Sequence, residues 1–319
     1  MTLLKINIDN KPQIADLNSK LLKEVKKASD LVSVSYLVDD TNIFESLNEY
    51  GLELIYNKAY EIQSYDIQSI SSILKSINCT DISTVKIRPK GKANQEISIL
   101  KILDFQVKYR NKHFCLYQGR WANFNISYLN FIEDQIKKAN EIANYNYMFD
   151  LTDHCLDQGR KMQTANIAKY DQVTYAEYPF NIFLENEFNY KLLDRKIGQK
   201  DYTSIEFADL YDPVNHQSLI HVKIGKTPSL RYCIQQSLHS AEIFATQDDV
   251  LSIHGITNVK KIAMLLVLDS HNIISPNNEI DFSKNASFYF KIEIVEWASR
   301  IRGLGYIPEI IISKDLRTK

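Results

Sequence analysis

Residues 204–225, SIEFADLYDPVNHQSLIHVKIG, decide the fold of the second half of this chain. Two runs rich in β-branched and aromatic residues flank DPVNHQ, where Asp-Pro and Asn supply turn chemistry. The segment therefore predicts a β-hairpin, with one strand in TSIEFADLY (203–211) and the other in QSLIHVKIG (217–225).

The second strand of this hairpin carries its ionisable residues on one face. Side chains alternate across a strand, so His221 and Lys223 share a face, while Ile220 and Val222 share the other, apolar one. In a regular pairing Asp209 lies opposite His221 or Lys223, and three ionisable groups converge. The alternative is that these residues are only the solvated face of an antiparallel pair.

Other periodic segments surround the hairpin. PFNIFLENEFNYKLLDRK (179–196) predicts a helix or a loop plus a helix. TPSLRYCIQQSLHSAEIFA (227–245) predicts a further helix, and KKIAMLLVLDS (260–270) a strand covered on both faces. ASFYFKIEIVEWASRIRGLGY (286–306) predicts a helix that ends near its glycines, and PEIIIS (308–313) a last strand. The predicted order from about residue 180 is therefore α, β, β, α, β, α, β.

The helix after the hairpin carries a polar stripe opposite its buried face. Its members recur at steps of three or four residues and are Arg231, Gln235, His239 and Glu242. We expect this stripe to line the same cleft as the hairpin residues, with an ordinary solvated helix surface as the alternative.

The first half of the chain alternates strand-like and helix-like pieces, which predicts a mixed sheet domain. The chain has 319 residues, and single hydrophobic cores stop growing at about this size, so two domains are expected. We place the two domains at 1–160 and 161–319. Within the first domain, VKIRPKGKAN carries Arg88 and Lys90, which predict either a nucleic-acid contact or a charged sheet edge.

Composition narrows the function classes. A net charge of −1 provides no global attraction to polyanions, so any nucleic-acid contact depends on a local patch. The four cysteines are far apart, which favours a reducing cytoplasm, and no apolar run is long enough to span a membrane. No glycine-rich phosphate loop occurs. We expect a cytoplasmic protein that does not hydrolyse nucleotides.

The order of these elements resembles the PD-(D/E)XK restriction-endonuclease superfamily. Asp209 matches the first acid of its signature and Lys223 its lysine, but His221 stands where the second acid is expected. The chain also resembles a family of sporadically distributed bacterial proteins of unknown function, through LLDRK, IEFADLY, LIHVKIG and SLRYCIQQSLHSAEIF.

The superfamily resemblance implies an α+β or α/β fold whose C-terminal half is a restriction-endonuclease-like αββαβαβ core, and a Mg²⁺ or Mn²⁺ site. Asp209 would be the central ligand, with Glu185 or Glu187 as the second carboxylate and Glu206 as a second choice. A neutral imidazole is a poor ligand for Mg²⁺ and a better one for Mn²⁺ or Zn²⁺, so His221 shifts the metal preference, moves the acid elsewhere or abolishes catalysis.

Two sets of functional residues are expected. The implied catalytic residues are Asp209, His221, Lys223 and Gln235. The expected nucleic-acid contacts are Lys226, Arg231 and His239 in the second half, together with Arg88 and Lys90, which are expected from the basic segment VKIRPKGKAN and not from the resemblance.

The function expected is metal-dependent hydrolysis of phosphodiesters in DNA or RNA, in a bacterial defence or mobile-element setting. The expected partners are nucleic acid and a partner protein or a second copy of the chain. One alternative is a nuclease-like fold that binds nucleic acid or protein without catalysis, and another is a homo-oligomeric scaffold.

Overall fold

A computed structural model describes residues 4–5, 10–29, 31–34, 37–38, 41–42, 51–196, 198, 206–214, 217–269, 271–285 and 287–318. The chain divides into two compact units. The first comprises Met1–Phe131 with Ala286–Tyr289, and the second comprises Ile132–Asn285 with Phe290–Lys319. The predicted boundary at residue 160 lies within a helix of the second unit.

The first unit combines β-sheets with helices α1 (Lys11–Lys26) and α2 (Ile67–Ser76). Both helices start at a polar cap, since the side chains of Asn10 and Asp66 each accept a hydrogen bond from a backbone N–H three residues on. The strands described in this unit are β1 (Leu4–Lys5), β2 (Val32–Val34), β3 (Leu37–Val38), β4 (Thr41–Asn42), β5 (Leu52–Tyr56), β6 (Lys58–Ile62), β7 (Lys86–Pro89), β8 (Ile97–Ser98), β9 (Leu103–Tyr109), β10 (Lys112–Tyr117) and β11 (Arg120–Asn123).

These strands form one sheet in the order β1-β11-β10-β9-β2, a second in the order β6-β5-β7-β8, and the small pair β3-β4. The described pairs in all three are antiparallel. The predicted mixed sheet domain in the first half is thus confirmed as a mixed α+β arrangement.

The second unit is built around one mixed sheet. The remaining elements in chain order are α3 (Ile126–Glu141), β12 (Ala143–Tyr145), α4 (Asp153–Ala165), α5 (Glu177–Phe188), β13 (Lys191–Leu192), β14 (Leu210–Asp212), β15 (Ser218–Gly225), α6 (Thr227–Thr246), β16 (Lys261–Leu268), α7 (Phe288–Gly303) and β17 (Ile307–Lys314). The sheet order is β12-β17-β16-β15-β14-β13. β12, β17, β16 and β15 run parallel, whereas β15, β14 and β13 pair antiparallel.

The predicted order of elements is observed, with the two-residue strand β13 as an addition between α5 and β14. The hairpin pairs Leu210 with Ile220 and Asp212 with Ser218, so that Asp209 lies across from His221. Residues 203–205 of the predicted first strand and residues 215–216 of the predicted turn lie outside the described residues.

Both faces of β15 are covered in the second unit. Ile220 and Val222 belong to a core cluster with Phe180 and Ile182 of α5. On the opposite face Leu219 and His221 are each 1% exposed. The solvated strand face considered in the sequence is therefore wrong for His221, because the parallel partner β16 and the contacting helix α6 make β15 an interior strand.

A close approach of two helices positions α5. Gly159 of α4 lies against Pro179 of α5, and a Cβ atom on Gly159 would be only 1.8 Å from the Pro179 carbonyl oxygen.

In the described part of the chain, no helix has the length and apolar character that a bilayer crossing requires.

Candidate functional site

The end of β13 and the start of β14 meet beside β15 in the six-stranded sheet. The backbone N–H groups of Leu193 and Asp194, which follow β13, donate to the Asp209 carbonyl oxygen at 2.8 and 2.9 Å. The Asp209 N–H donates to the carbonyl oxygen of Ile220 at 3.0 Å. Antiparallel pairing therefore brings the end of β13 and the start of β14 against the middle of β15, and Lys223 follows towards the end where the parallel strands also end. Ligands of open α/β sheets commonly bind at this edge.

Asp194, Glu206 and Asp209 form a carboxyl cluster. Each offers an oxygen, and these three oxygens all lie within 4.8 Å of one another. Asp194 is buried, and its two oxygens accept hydrogen bonds from the Asn181 amide at 2.7 Å and the Tyr175 hydroxyl at 3.2 Å. The buried carboxylate is thus held in a set orientation by two neutral donors.

The other two members of the cluster are half-buried. Asp209 accepts the backbone N–H of Val222 at 2.7 Å, a bond across the hairpin that orients its carboxylate. Glu206 accepts the backbone N–H of Arg195 and shares a side-chain hydrogen bond with Asp194. A bond between two carboxyl groups requires one of them to carry the proton.

Lys223 and Glu177 form an ion pair beside this cluster. The Lys223 ammonium lies 2.9 Å from Glu177 at the first turn of α5, and the other Glu177 oxygen accepts the backbone N–H of Ile224 at 3.1 Å. Both side chains are about one-fifth exposed. The aromatic ring of Tyr232 lies 5.6 Å from the ammonium nitrogen. Lys223 is therefore held in place from two sides.

The cluster has an excess of negative charge. Burial, the proximity of Asp194 and a hydrogen bond to it raise the pKa of Glu206 to about 7, although the Arg195 N–H opposes this shift. Burial raises the pKa of Asp194, and burial together with the charges of Asp194 and Glu206 raises the pKa of Asp209 well above its usual range.

The neighbouring carboxyl groups keep the Lys223 ammonium group protonated. Burial by itself would lower the pKa of Lys223, but the charge and hydrogen bond of Glu177 and the charge of Asp209 outweigh it, so the pKa is raised. Lys223 therefore remains a cation next to carboxyl groups that resist full ionisation.

His221 has a different environment. It is 1% exposed, and within the described residues its Nδ1 atom has no hydrogen-bond partner. Burial lowers its pKa to about 4, opposed only by a hydrogen bond with the Phe207 backbone. His221 is neutral at pH 7, and it does not belong to the carboxyl cluster found among the described residues.

The acids expected from α5 do not join the cluster. Glu185 binds Lys169 at 2.9 Å and accepts the Tyr170 hydroxyl at 2.7 Å, and Glu187 is exposed. The α5 acid next to Lys223 is instead Glu177, which lies more than two helical turns earlier. Residues this far apart along a helix axis cannot reach the same ion.

The polar stripe of α6 faces α7 rather than the cleft. Arg231 is 4% exposed and binds Glu293 of α7 at 2.8 Å and 2.5 Å, and the Gln235 amide donates to the same carboxylate at 3.2 Å. The expected nucleic-acid contact of Arg231 is therefore replaced by a buried ion pair. His239 and Lys226 are exposed.

The basic segment of the first unit is largely neutralised. Arg88 on β7 lies 3.0 Å from Glu53 and 3.1 Å from Glu96, and Lys90 lies 2.9 Å from Glu61. These carboxylates balance both basic side chains, and β7 lies between β5 and β8, so the structure shows neither an open phosphate contact nor the charged sheet edge.

Three members of the site were not singled out as first-choice residues in the sequence. Asp194 occurs within LLDRK, and its position depends on the two-residue strand β13. Glu206 was a second choice because regular strand alternation would point it away, but it precedes β14, where that alternation does not apply. Glu177 has one local signal, an acid in the first turn of a helix.

Fold and site together define a mixed α/β protein with a carboxyl cluster and a lysine at the carboxyl edge of its larger sheet. A family model, DUF6119, described as a family of unknown function, matches residues 6–296, and the chain belongs to this family. No curated protein and no solved structure matches the chain.

Proposed function

We propose that this protein is a divalent-metal-dependent phosphodiesterase that acts on DNA or RNA. The observation that carries the proposal is the cluster of Asp194, Glu206 and Asp209 beside the charged Lys223. Metal-dependent hydrolysis of phosphodiesters uses carboxylates that hold a cation and a nearby positive charge that neutralises the phosphate. This site offers both.

The donor set fits Mg²⁺ or Mn²⁺. Both ions favour carboxylate oxygens, and the raised pKa values of the cluster indicate that a positive charge would relieve repulsion there. Asn181, which is fully buried and holds Asp194, has an oxygen for which no partner occurs among the described residues. This oxygen next to the cluster would accept a hydrogen bond from a water bound to the ion.

Asp194, Glu206 and Asp209 would hold the ion. The ion would supply charge neutralisation and a more acidic bound water. The chain itself contributes the Lys223 ammonium, which would stabilise charge that develops on the phosphate, and Glu177, which orients this ammonium. Burial of this pair makes its electrostatic effect stronger than it would be in water.

The arrangement resembles the PD-(D/E)XK superfamily in two respects. Asp209 directly precedes β14, and Lys223 lies near the end of β15. The departure at His221 is explained in this proposal by relocation of the acid, because Asp194 and Glu206 surround Asp209 in its place. The bacterial defence or mobile-element setting stays a prediction.

Cleavage of labelled single-stranded DNA, double-stranded DNA and RNA with Mg²⁺ or Mn²⁺ tests the proposal. Lys223→Met and Asp209→Asn should each lower the rate by at least about 100-fold. Lys261→Met is a matched control, since Lys261 pairs with Glu309 at 3.4 Å on the same sheet with a similar exposure. Glu185→Gln is the control for the carboxylates.

Equal cleavage by wild type, Lys223→Met and Asp209→Asn would show that any activity comes from elsewhere, and absence of cleavage with all three substrates would count against hydrolysis. A Mn²⁺ titration by calorimetry separates binding from catalysis. The heat of Mn²⁺ binding should disappear in Asp209→Asn and persist in Glu185→Gln.

A second candidate function is binding of nucleic acid without cleavage. It is favoured by His221, since a buried neutral imidazole occupies the position where the superfamily has an acid. Retention of labelled DNA or RNA in a mobility-shift assay, with no cleavage in either metal and no Mn²⁺ heat, would support this candidate over the first.

A further inference from the structure

The hairpin of β9 and β10 extends beyond its neighbours in the five-stranded sheet of the first unit. Its two strands pair as far as Tyr109 and Lys112. In the described ladders β2 pairs with β9 only up to Phe105, and β11 pairs with β10 only from Phe114 onward. Residues 107–112 therefore form a two-stranded ribbon that lies past the last pair on either side.

Basic side chains surround the end of this ribbon. Lys108, Arg110 and Lys112 belong to the hairpin and Lys20 belongs to α1, and all four are exposed. Lys112 pairs with Tyr109, so alternation places Lys108 on the opposite face of the ribbon from Lys112, with Arg110 at the turn. None of these four cations forms an ion pair in the described part of the chain. We call this group the basic tip.

The basic tip is a local excess of positive charge. Its contact with an acid is that of Asp16 on α1, which accepts the Tyr109 hydroxyl at 2.7 Å. The four cations exceed this carboxylate by three charges, whereas the whole chain has a net charge of −1. Arg88 and Lys90 of β7 differ, because carboxylates balance them. The tip therefore offers the local patch that a polyanion requires.

Two of these cations are held in place by one aromatic ring. The Lys20 ammonium nitrogen lies 5.6 Å from the centroid of the Tyr109 ring, and the Arg110 guanidinium carbon lies 5.0 Å from it. The hydrogen bond to Asp16 fixes the ring itself. Arg110 and Asn111 have φ angles of 46° and 60°, as the tight type I′ hairpin turn requires. Cations that are already oriented lose less side-chain entropy when they bind a ligand.

We propose that the basic tip binds the phosphate backbone of a nucleic-acid duplex. Lysine and arginine contacts to phosphates provide affinity that does not depend on base sequence. A single strand fits less well, because single-strand binding uses free aromatic faces on which bases stack, and two cations lie over the Tyr109 ring. An anionic membrane also fits less well, since no large apolar side chain of residues 107–113 is exposed to enter it.

Fluorescence anisotropy of the full chain with short labelled duplexes of DNA and of RNA tests this surface. EDTA is present, so that metal-dependent cleavage cannot occur. The triple variant Lys108→Gln, Arg110→Gln, Lys112→Gln should bind at least about tenfold more weakly, and its plot of log K against log salt should be shallower by about 2–3. The difference in affinity between the two duplexes identifies the preferred backbone.

The matched control is the triple variant Lys58→Gln, Lys75→Gln, Arg120→Gln. It removes the same charge from exposed positions of the first unit outside the tip, with Arg120 next to the turn at the opposite end of β10. It should bind the duplexes nearly as tightly as wild type. If the tip variant does not give the circular dichroism spectrum of the folded protein, the double variant Lys108→Gln, Lys112→Gln takes its place.

Several outcomes would overturn the proposal. No duplex binding at low salt would show that the tip has no such partner, and equal losses in the tip and control variants would show that overall charge is the cause. Binding of oligothymidine as tight as that of the duplexes would indicate a single-strand surface. Binding of vesicles that contain phosphatidylserine, without duplex binding, would indicate a membrane surface.

This surface goes beyond the proposed hydrolysis and can fail separately from it. The tip belongs to the first unit and Asp209 to the second. Asp209→Asn should therefore bind duplexes as wild type does in EDTA. Duplex binding without any cleavage in Mg²⁺ or Mn²⁺ would leave the surface intact and refute the hydrolysis, whereas cleavage with no effect of the tip variant on binding would do the reverse.

Discussion

Replacement of Glu206 by Gln measures how strongly the carboxyl groups of the site oppose folding. In a buffer with a chelator the cluster has no divalent ion to balance it, and Glu206 must lose its proton next to Asp194. Gln cannot ionise, but it retains an oxygen for the Arg195 N–H and provides an amide N–H for Asp194. The substitution therefore removes the charge and keeps the contacts.

The magnitude follows from the pKa of Glu206, which rises from 4.5 to about 7 on folding. A pKa difference of 1 corresponds to about 1.4 kcal/mol, so the ionised Glu206 costs up to about 3 kcal/mol of folding stability. The folded protein binds the proton more tightly than the unfolded chain. The cost is therefore absent below pH 4.5, increases as the pH rises towards 7 and is complete at pH 8.

Urea unfolding at pH 8 and at pH 4.5 is the assay. Trp297 is fully buried in the second unit, so its fluorescence in a Trp121→Phe background reports on the unit that contains the site. Glu206→Gln should raise the free energy of unfolding by up to about 3 kcal/mol at pH 8 and leave it nearly unchanged at pH 4.5. Titrating groups outside the cluster cancel because both proteins share them, and loss of the Glu206 charge also lowers the pKa of Asp209, which stabilises the variant further at pH 8.

The control is Glu185→Gln, which removes a carboxylate that is paired with Lys169. It should be neutral or destabilising by up to about 1 kcal/mol at pH 8. The reasoning is refuted if Glu206→Gln is less stable than its parent at pH 8, or if its gain is equally large at pH 4.5. With Mn²⁺ present, the advantage should shrink, because the ion would stabilise only the carboxylate form.

Three further predictions concern the second unit. Wild type should lose about 3 kcal/mol of unfolding free energy between pH 6.5 and pH 4, because a histidine with a folded pKa of about 4 binds its proton more tightly in the unfolded chain. His221→Leu should abolish this loss. Urea unfolding at both pH values checks the prediction, and a variant with the same loss as wild type would contradict it. Gly159→Ala should lower stability by at least about 1–3 kcal/mol, measured as a lower Tm, since the new methyl group collides with Pro179; an unchanged Tm would contradict this close approach. Arg231→Met should cost about 3–5 kcal/mol in urea unfolding by leaving Glu293 unpaired, and the double replacement of both residues by Met should recover most of the loss, or else the pair is not the cause.

Much of the second unit was predictable from local patterns. The apolar face of α6 and the continuous apolar run of β16 each predict a segment that folds as its own pattern indicates. The short β13 and the polar α4 were missed, because two residues are too few for a periodic signal and α4 has few apolar positions.

The candidate site was predictable only in part. Asp209 and Lys223 belong to one hairpin, so their proximity follows from strand register, and the charge of Asp209 does act on Lys223. The strand face that carries His221 was expected to be open to the site, but α6 covers it and His221 is buried. Alternation along a strand carries no information about that helix.

By itself, the sequence determined the alternation of helices and longer strands from about residue 180 onward and the hairpin that carries Asp209 and Lys223, for which it left two registers open, since these depend on interactions between near neighbours in the chain. The tertiary structure alone decided that Asp194, Glu206 and Glu177 are the acids of the site. The physical reason is that β13 and α5 approach the hairpin through contacts with residues far away in the chain, and burial then sets the charge of each carboxyl group.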